Sequence, residues 1–159
     1  MDSGTLIVGT ILVVLCILPV ILTERSRKKK EKRLYKHLAS LAEAQNCKIT
    51  KYERCCNMMI GIDEINNHVF FIKKSKEGEK GQYINLREIQ NCRIRTTGRT
   101  VEESTGGGMV TEKLELVFMP VLKSGTEIVW EIYNAEDNLQ LSGELQLIEK
   151  WAGIIKEKL

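Results

Sequence analysis

Residues 5–23, "TLIVGTILVVLCILPVILT", contain no charged side chain, and 6–22 are almost wholly aliphatic. At about 1.5 Å rise per residue a helix of this length spans most of a hydrocarbon core about 30 Å thick. A helix also satisfies its backbone polar groups internally, as lipid requires. The run therefore predicts a transmembrane helix over 5–23 after a short exposed N-terminus, 1–4. A cleaved signal peptide fits poorly, because the leading "MDSG" has an acid and no Lys or Arg, and charged residues follow the run.

Arg25, Arg27, Lys28, Lys29, Lys30, Lys32 and Arg33 come next, against Glu24 and Glu31, a local charge of +5. Basic residues beside a membrane helix favour retention of that flank in the cytoplasm. The expected localisation is the inner or plasma membrane, single-pass, with the N-terminus outside and the C-terminal domain cytoplasmic. The seven basic side chains are the expected lipid headgroup contacts, at about 1 kcal/mol each near an anionic surface. Membrane lipid thus becomes an expected partner through helix and flank together.

The chain of 159 residues carries +3 overall, so removing that +5 and the negative charge of Asp2 leaves residues 34–159 at −1. A nucleic-acid-binding domain normally brings its own basic footprint. No nucleic-acid partner is expected. Cys47, Cys55, Cys56 and Cys92 show no disulfide-scaffold spacing, which suits free thiols in a reducing compartment.

Residues 24–46 lack Pro and Gly and repeat Leu34, Leu38, Leu41 and Ala42 at helical spacing, which predicts a basic juxtamembrane helix that docks on its own domain. Residues 47–159 form the expected soluble domain. Its apolar pattern has period two at 58–65 and 68–74, on either side of the turn residues Asn66 and Asn67. A shorter strand is expected at 48–55, a polar loop at 73–81, and strands at 83–86 and 89–96. A glycine-rich connection follows over 96–113, and then strands in "KLELVFM" and "EIVWEIY". The last segment predicts an amphipathic helix capped by Ser142, with Leu145, Leu147, Ile148, Trp151, Ala152, Ile154, Ile155 and Leu159 on its apolar side.

The stretch "IGIDEINNHVFFI…INLREIQNCRI" within 60–94 and the terminal "LIEKWAGII" at 147–155 resemble bacterial pleckstrin-homology-like domain proteins, over residues 48–159. The resemblance implies an α+β fold, an antiparallel β-barrel or sandwich capped by the C-terminal amphipathic helix, and a binding or scaffold role without catalysis. In such modules a loop between early strands often meets phosphoinositides. Lys73, Lys74, Lys76 and Lys80 occupy a comparable loop here, while Glu77 and Glu79 weaken the match.

The chemical inventory is thin. His37 and His68 belong to no metal-binding or protease spacing, and no Gly-x-Ser-x-Gly occurs. The glycines at 106–108 lack the Gly-Lys-Ser/Thr of a phosphate loop. No Cys-x-x-Cys is present, and adjacent cysteines on a strand point to opposite faces. Asp63 and Glu64 precede a turn, where solubility is reason enough for them. No catalytic, metal or cofactor residue is therefore assigned. The expected function is a membrane-anchored cytoplasmic binding or scaffold module engaging a protein partner. The alternative is anionic-lipid recognition at the membrane surface, with a Cys-dependent enzyme behind both.

Overall fold

The computed structural model describes residues 3–76, 78–101, 108–122, 125–137 and 140–159. The chain divides into two compact units, Met1–Lys36 and His37–Leu159. Helix α1 (Ser3–Glu43) supplies all that is described of the first unit. Among the described residues no helix is long and apolar enough to cross a membrane. This overturns the expected transmembrane helix over 5–23, and with it the single-pass anchor and the outside-to-cytoplasm orientation. A span requires about 20 consecutive, predominantly apolar residues, and no described stretch of α1 meets that requirement. From Glu24 the same helix is densely charged.

The second unit is α+β. Strands β1 (Lys51–Cys55), β2 (Met58–Asp63), β3 (His68–Ser75) and β4 (Gly78–Asn85) form an antiparallel sheet in chain order. After a 3₁₀ turn, Leu86–Glu88, strands β5 (Ile89–Val101), β6 (Gly108–Pro120) and β7 (Ile128–Asn134) form a second. Helix α2 (Glu144–Lys156) follows. The expected barrel is corrected: among the described residues the two sheets share no strand pairing, so the barrel does not close.

β2 and β3 explain the layering, because they are apolar on both faces. Met58, Ile60, Ile62, Val69 and Phe71 enter the main core with Leu114, Leu116 and Phe118 of β6 and Trp130 and Ile132 of β7. Trp130 stacks on Phe71 with ring centroids 5.2 Å apart and meets Phe118 edge-on at 4.8 Å. A register shift opposite Leu114 and Glu115 also buries Tyr133. The other face of the first sheet, with Met59, Phe70 and Ile72, is equally buried. There the last turns of α1 contribute Leu38 and Ala42, both buried. Gly61 permits this approach, since a Cβ on it would lie 2.8 Å from Leu38 Cδ2.

α2 buries Leu147, Ile148, Trp151, Ala152 and Ile155, whereas Leu145 and Leu159 of the expected stripe are exposed. Ser142 does not cap it. The N-cap is Gly143, at φ +103°, with no side-chain hydrogen bond. The polar loop expected at 73–81 is instead a tight hairpin in which Lys73 opposes Lys80 and Ser75 opposes Gly78. Much of the connection expected at 96–113 is also strand, because β-branched Thr and Val extend the β5–β6 ladder to Val101 opposite Gly108. Residues 1 and 2 of the expected N-terminus, Glu77, Gly106 and Gly107 lie outside the described residues.

Asp63 has a larger role than solubilising a turn. It is buried and accepts from the backbone N–H groups of Lys48, Ile65 and Asn66 and from Asn66 Nδ2, at 2.7–3.0 Å. Burial alone would raise its pKa, but these donors outweigh it and hold the carboxyl at about 2. It ties the β2–β3 turn, where Asn67 sits at φ 55°, to the approach to β1.

Leu38→Ala is expected to destabilise the protein by about 2–5 kcal/mol in urea unfolding. Asp63→Asn is expected to cost about 1.5–3 kcal/mol at neutral pH. The carboxyl binds its proton more weakly when folded, so its contribution is full above the unfolded value of 3.8 and is lost as the pH falls toward about 2. The stability gap between wild type and Asp63→Asn should therefore narrow across that window.

Candidate binding cleft

Sheet edges determine where the second unit is open. β4 is the edge of one sheet and β7 the edge of the other, and among the described residues no further strand pairs with either. Between them lies a cleft of about 740 Å³, walled by Lys73, Ser75, Lys80, Gly81 and Gln82 on one side and by Glu131 and Asn134 on the other. Phe71 and Val129 give it an apolar floor. Its volume falls in the usual range for a binding site, about 300–1,000 Å³.

The charge in this cleft is balanced. Lys73, Lys76 and Lys80 line it together with Glu131, Glu136 and Asp137. Lys73 Nζ donates to Glu131 Oε1 at 2.9 Å, and Asn134 Nδ2 donates to Glu131 Oε2 at 3.2 Å. Burial would raise the Glu131 carboxyl, but the Lys73 hydrogen bond and charge prevail and lower it. Lys76 Nζ reaches the backbone oxygen of Glu136 at 3.3 Å. The four expected lipid-loop lysines thus separate: Lys73, Lys76 and Lys80 share the cleft, while the exposed Lys74 opposes Glu79 in the hairpin and is not part of the lining.

Arg25, Arg27, Lys28, Lys29, Lys30, Lys32 and Arg33 of α1 are all exposed. At 100° per residue, positions 25, 27, 28, 29, 30, 32 and 33 distribute around the whole helix circumference and form a collar instead of one flat basic face.

The acidic wall of the cleft escaped the sequence reading. Glu131 was legible only as a polar residue alternating with buried ones, and nothing local to β7 shows which strand lies across from it.

Nucleophile chemistry has little support among the described residues. Burial is the first cause raising the thiols of Cys47, Cys55, Cys56 and Cys92, with Cys56 pushed up to about 12 and Cys92 to about 11. The histidines are engaged elsewhere: His37 pairs with Glu79, and His68 Nδ1 lies 2.8 Å from the Asn66 oxygen. No family model matches the chain, and no curated protein or solved structure matches it.

Thiolates are the reactive species in alkylation. Cys55 and Cys56 should therefore react with iodoacetamide more slowly than a peptide cysteine at neutral pH. Peptide mass spectrometry should show the Cys56 rate still rising above about pH 10.

Proposed function

We propose that this chain is a non-catalytic binding module that takes an extended segment of a partner protein into the cleft, as a strand added to the outer edge of β4. The observation that carries this reading is the position of the cleft between two open sheet edges. The N–H and C=O groups along a sheet edge supply main-chain affinity for such a strand, and side pockets supply selectivity. Phe71 and Val129 offer apolar contact, while the interleaved Lys and Glu side chains suit a segment carrying both charges.

The element order, four strands, three strands and a helix, supports the pleckstrin-homology-like resemblance, whose members bind and do not catalyse. Raised thiols also support a non-catalytic role. Charge balance disfavours the alternative of an anionic-lipid cradle, because a phosphate group would have to compete with Glu131 for Lys73.

A library of unstructured peptides selected on the full chain tests this reading. A selected peptide is expected to slow amide exchange in 78–85 and to bind at least about tenfold more weakly to Val129→Arg. Absence of any peptide that protects β4 would reject the reading. Co-sedimentation with phosphatidylserine-rich vesicles, abolished when Lys73, Lys74, Lys76 and Lys80 are all changed to Gln, would replace it with lipid recognition.

A further inference from the structure

Adjacent cysteines on a continuous strand point apart, but Cys55 and Cys56 do not share one. Cys55 ends β1, and Cys56 opens the two-residue turn to β2 at φ 51°. A side chain with positive φ is uncommon outside Gly, Asn and Asp. Its consequence here is that both sulfurs fall on one side, 3.5 Å apart. Each also lies 3.7 Å from the backbone oxygen of Ser142, on the segment leading into α2. Gly143, at φ +103°, turns the chain so closely past this point that a Cβ on it would be 3.7 Å from Cys55 Sγ.

The same turn brings in Glu144, which is only 3% exposed. Single ligand atoms from Cys55, Cys56 and Glu144 lie within 4.8 Å of one another. The Glu144 carboxylate accepts from the Ser142 N–H and lies beside both thiols. Among the described residues, no Lys, Arg or His forms an ion pair with it. Buried charges are ordinarily paired or coordinate a metal. A buried carboxylate facing two thiols, with no cationic partner, is therefore a second observation, independent of the cysteine pair, that points to a bound cation.

We infer that Cys55, Cys56 and Glu144 form a binding site for a tetrahedral thiophilic divalent cation of the zinc class. Zn–S bonds of about 2.3 Å at a tetrahedral angle place two sulfurs about 3.8 Å apart, close to the spacing already present. A linear two-coordinate cuprous ion would force the sulfurs much further apart and would leave the carboxylate unused. Two sulfurs and one carboxylate oxygen fill three positions, and the Ser142 oxygen or a water completes the fourth. On binding, each thiol gives up its proton to solvent and forms one metal–sulfur bond, so one divalent ion displaces two protons. Both cysteines are partly exposed, which gives the ion a route in. The absence of a Cys-x-x-Cys motif hid the site, because its third ligand lies on another element.

The test uses the full chain, reduced with a phosphine, stripped by a chelator and titrated with Co²⁺. One equivalent is expected to produce thiolate-to-cobalt charge transfer and tetrahedral ligand-field bands, and Zn²⁺ should abolish both by displacing the cobalt. Cys55→Ser and Cys56→Ser should each remove the charge-transfer signal expected of the pair, while Cys47→Ser retains it. Glu144→Gln should weaken binding at least about tenfold. A second readout needs no variant: zinc should protect Cys55 and Cys56 of the wild type from alkylation while the exposed Cys16 is still labelled. Absence of charge transfer, its persistence in both cysteine variants, or equal labelling with and without zinc would each overturn the assignment.

Discussion

The second unit depends on a sheet that must be buried on both faces. β2 is buried along its whole length, and Val69, Phe70, Phe71 and Ile72 form a continuous buried run in β3. Successive strand residues point to opposite faces, so no single packing partner can cover such strands. The aromatic group around Trp130 covers one face, and Leu38 and Ala42 cover the other. Gly61 sets the depth at which the helix can lie. At about 1.5–3 kcal/mol per buried large apolar side chain, leaving either face uncovered would cost an amount comparable with a domain's usual net stability.

This solution determines where the unit stays open. Among the described residues, two sheets that share no strand leave β4 and β7 at their edges, and sheet edges invite pairing with other chains. The charges around the cleft limit that tendency. Lys73 and Glu131 join the two walls by an ion pair, and charged or polar side chains dominate the exposed part of β4. The features that protect an edge from indiscriminate pairing also make it selective, because an incoming strand must match alternating charge above the Phe71 and Val129 floor. Protection and recognition are therefore two consequences of the same side chains.

Periodicity made part of this architecture legible. The alternation of Leu114, Leu116 and Phe118, the Asn66–Asn67 turn and the apolar side of α2 all depend on nearest neighbours along the chain, and the structure realises them. Local signals failed where the environment was non-local. The charged hairpin read as a loop because hydrogen bonding across the pair, from Lys73–Lys80 to Ser75–Gly78, leaves no apolar trace in a strand exposed at the edge. The apolar run at 5–23 read as a membrane span from hydropathy, whereas the described helix lacks a sufficiently long apolar stretch. The cleft was half visible, through its lysines. Its acids come from β7 and the residues just after it, with Glu131 lying 58 positions from its partner Lys73.

Asp63 and Glu144 show how burial alone fails to distinguish structural from functional carboxylates. Both are nearly inaccessible to solvent. Asp63 spends its acceptor capacity on four donors, three of them backbone N–H groups, and its charge is thereby stabilised within the fold. Glu144 accepts from one backbone donor and lies within 4.8 Å of two thiols, groups whose protons a metal ion can displace. A carboxylate satisfied by immovable backbone donors has no use for a further ligand. One with a single backbone donor and two thiols beside it can take up a cation as those thiols lose their protons, without disturbing the chain around it. The difference lies in what each donor can release.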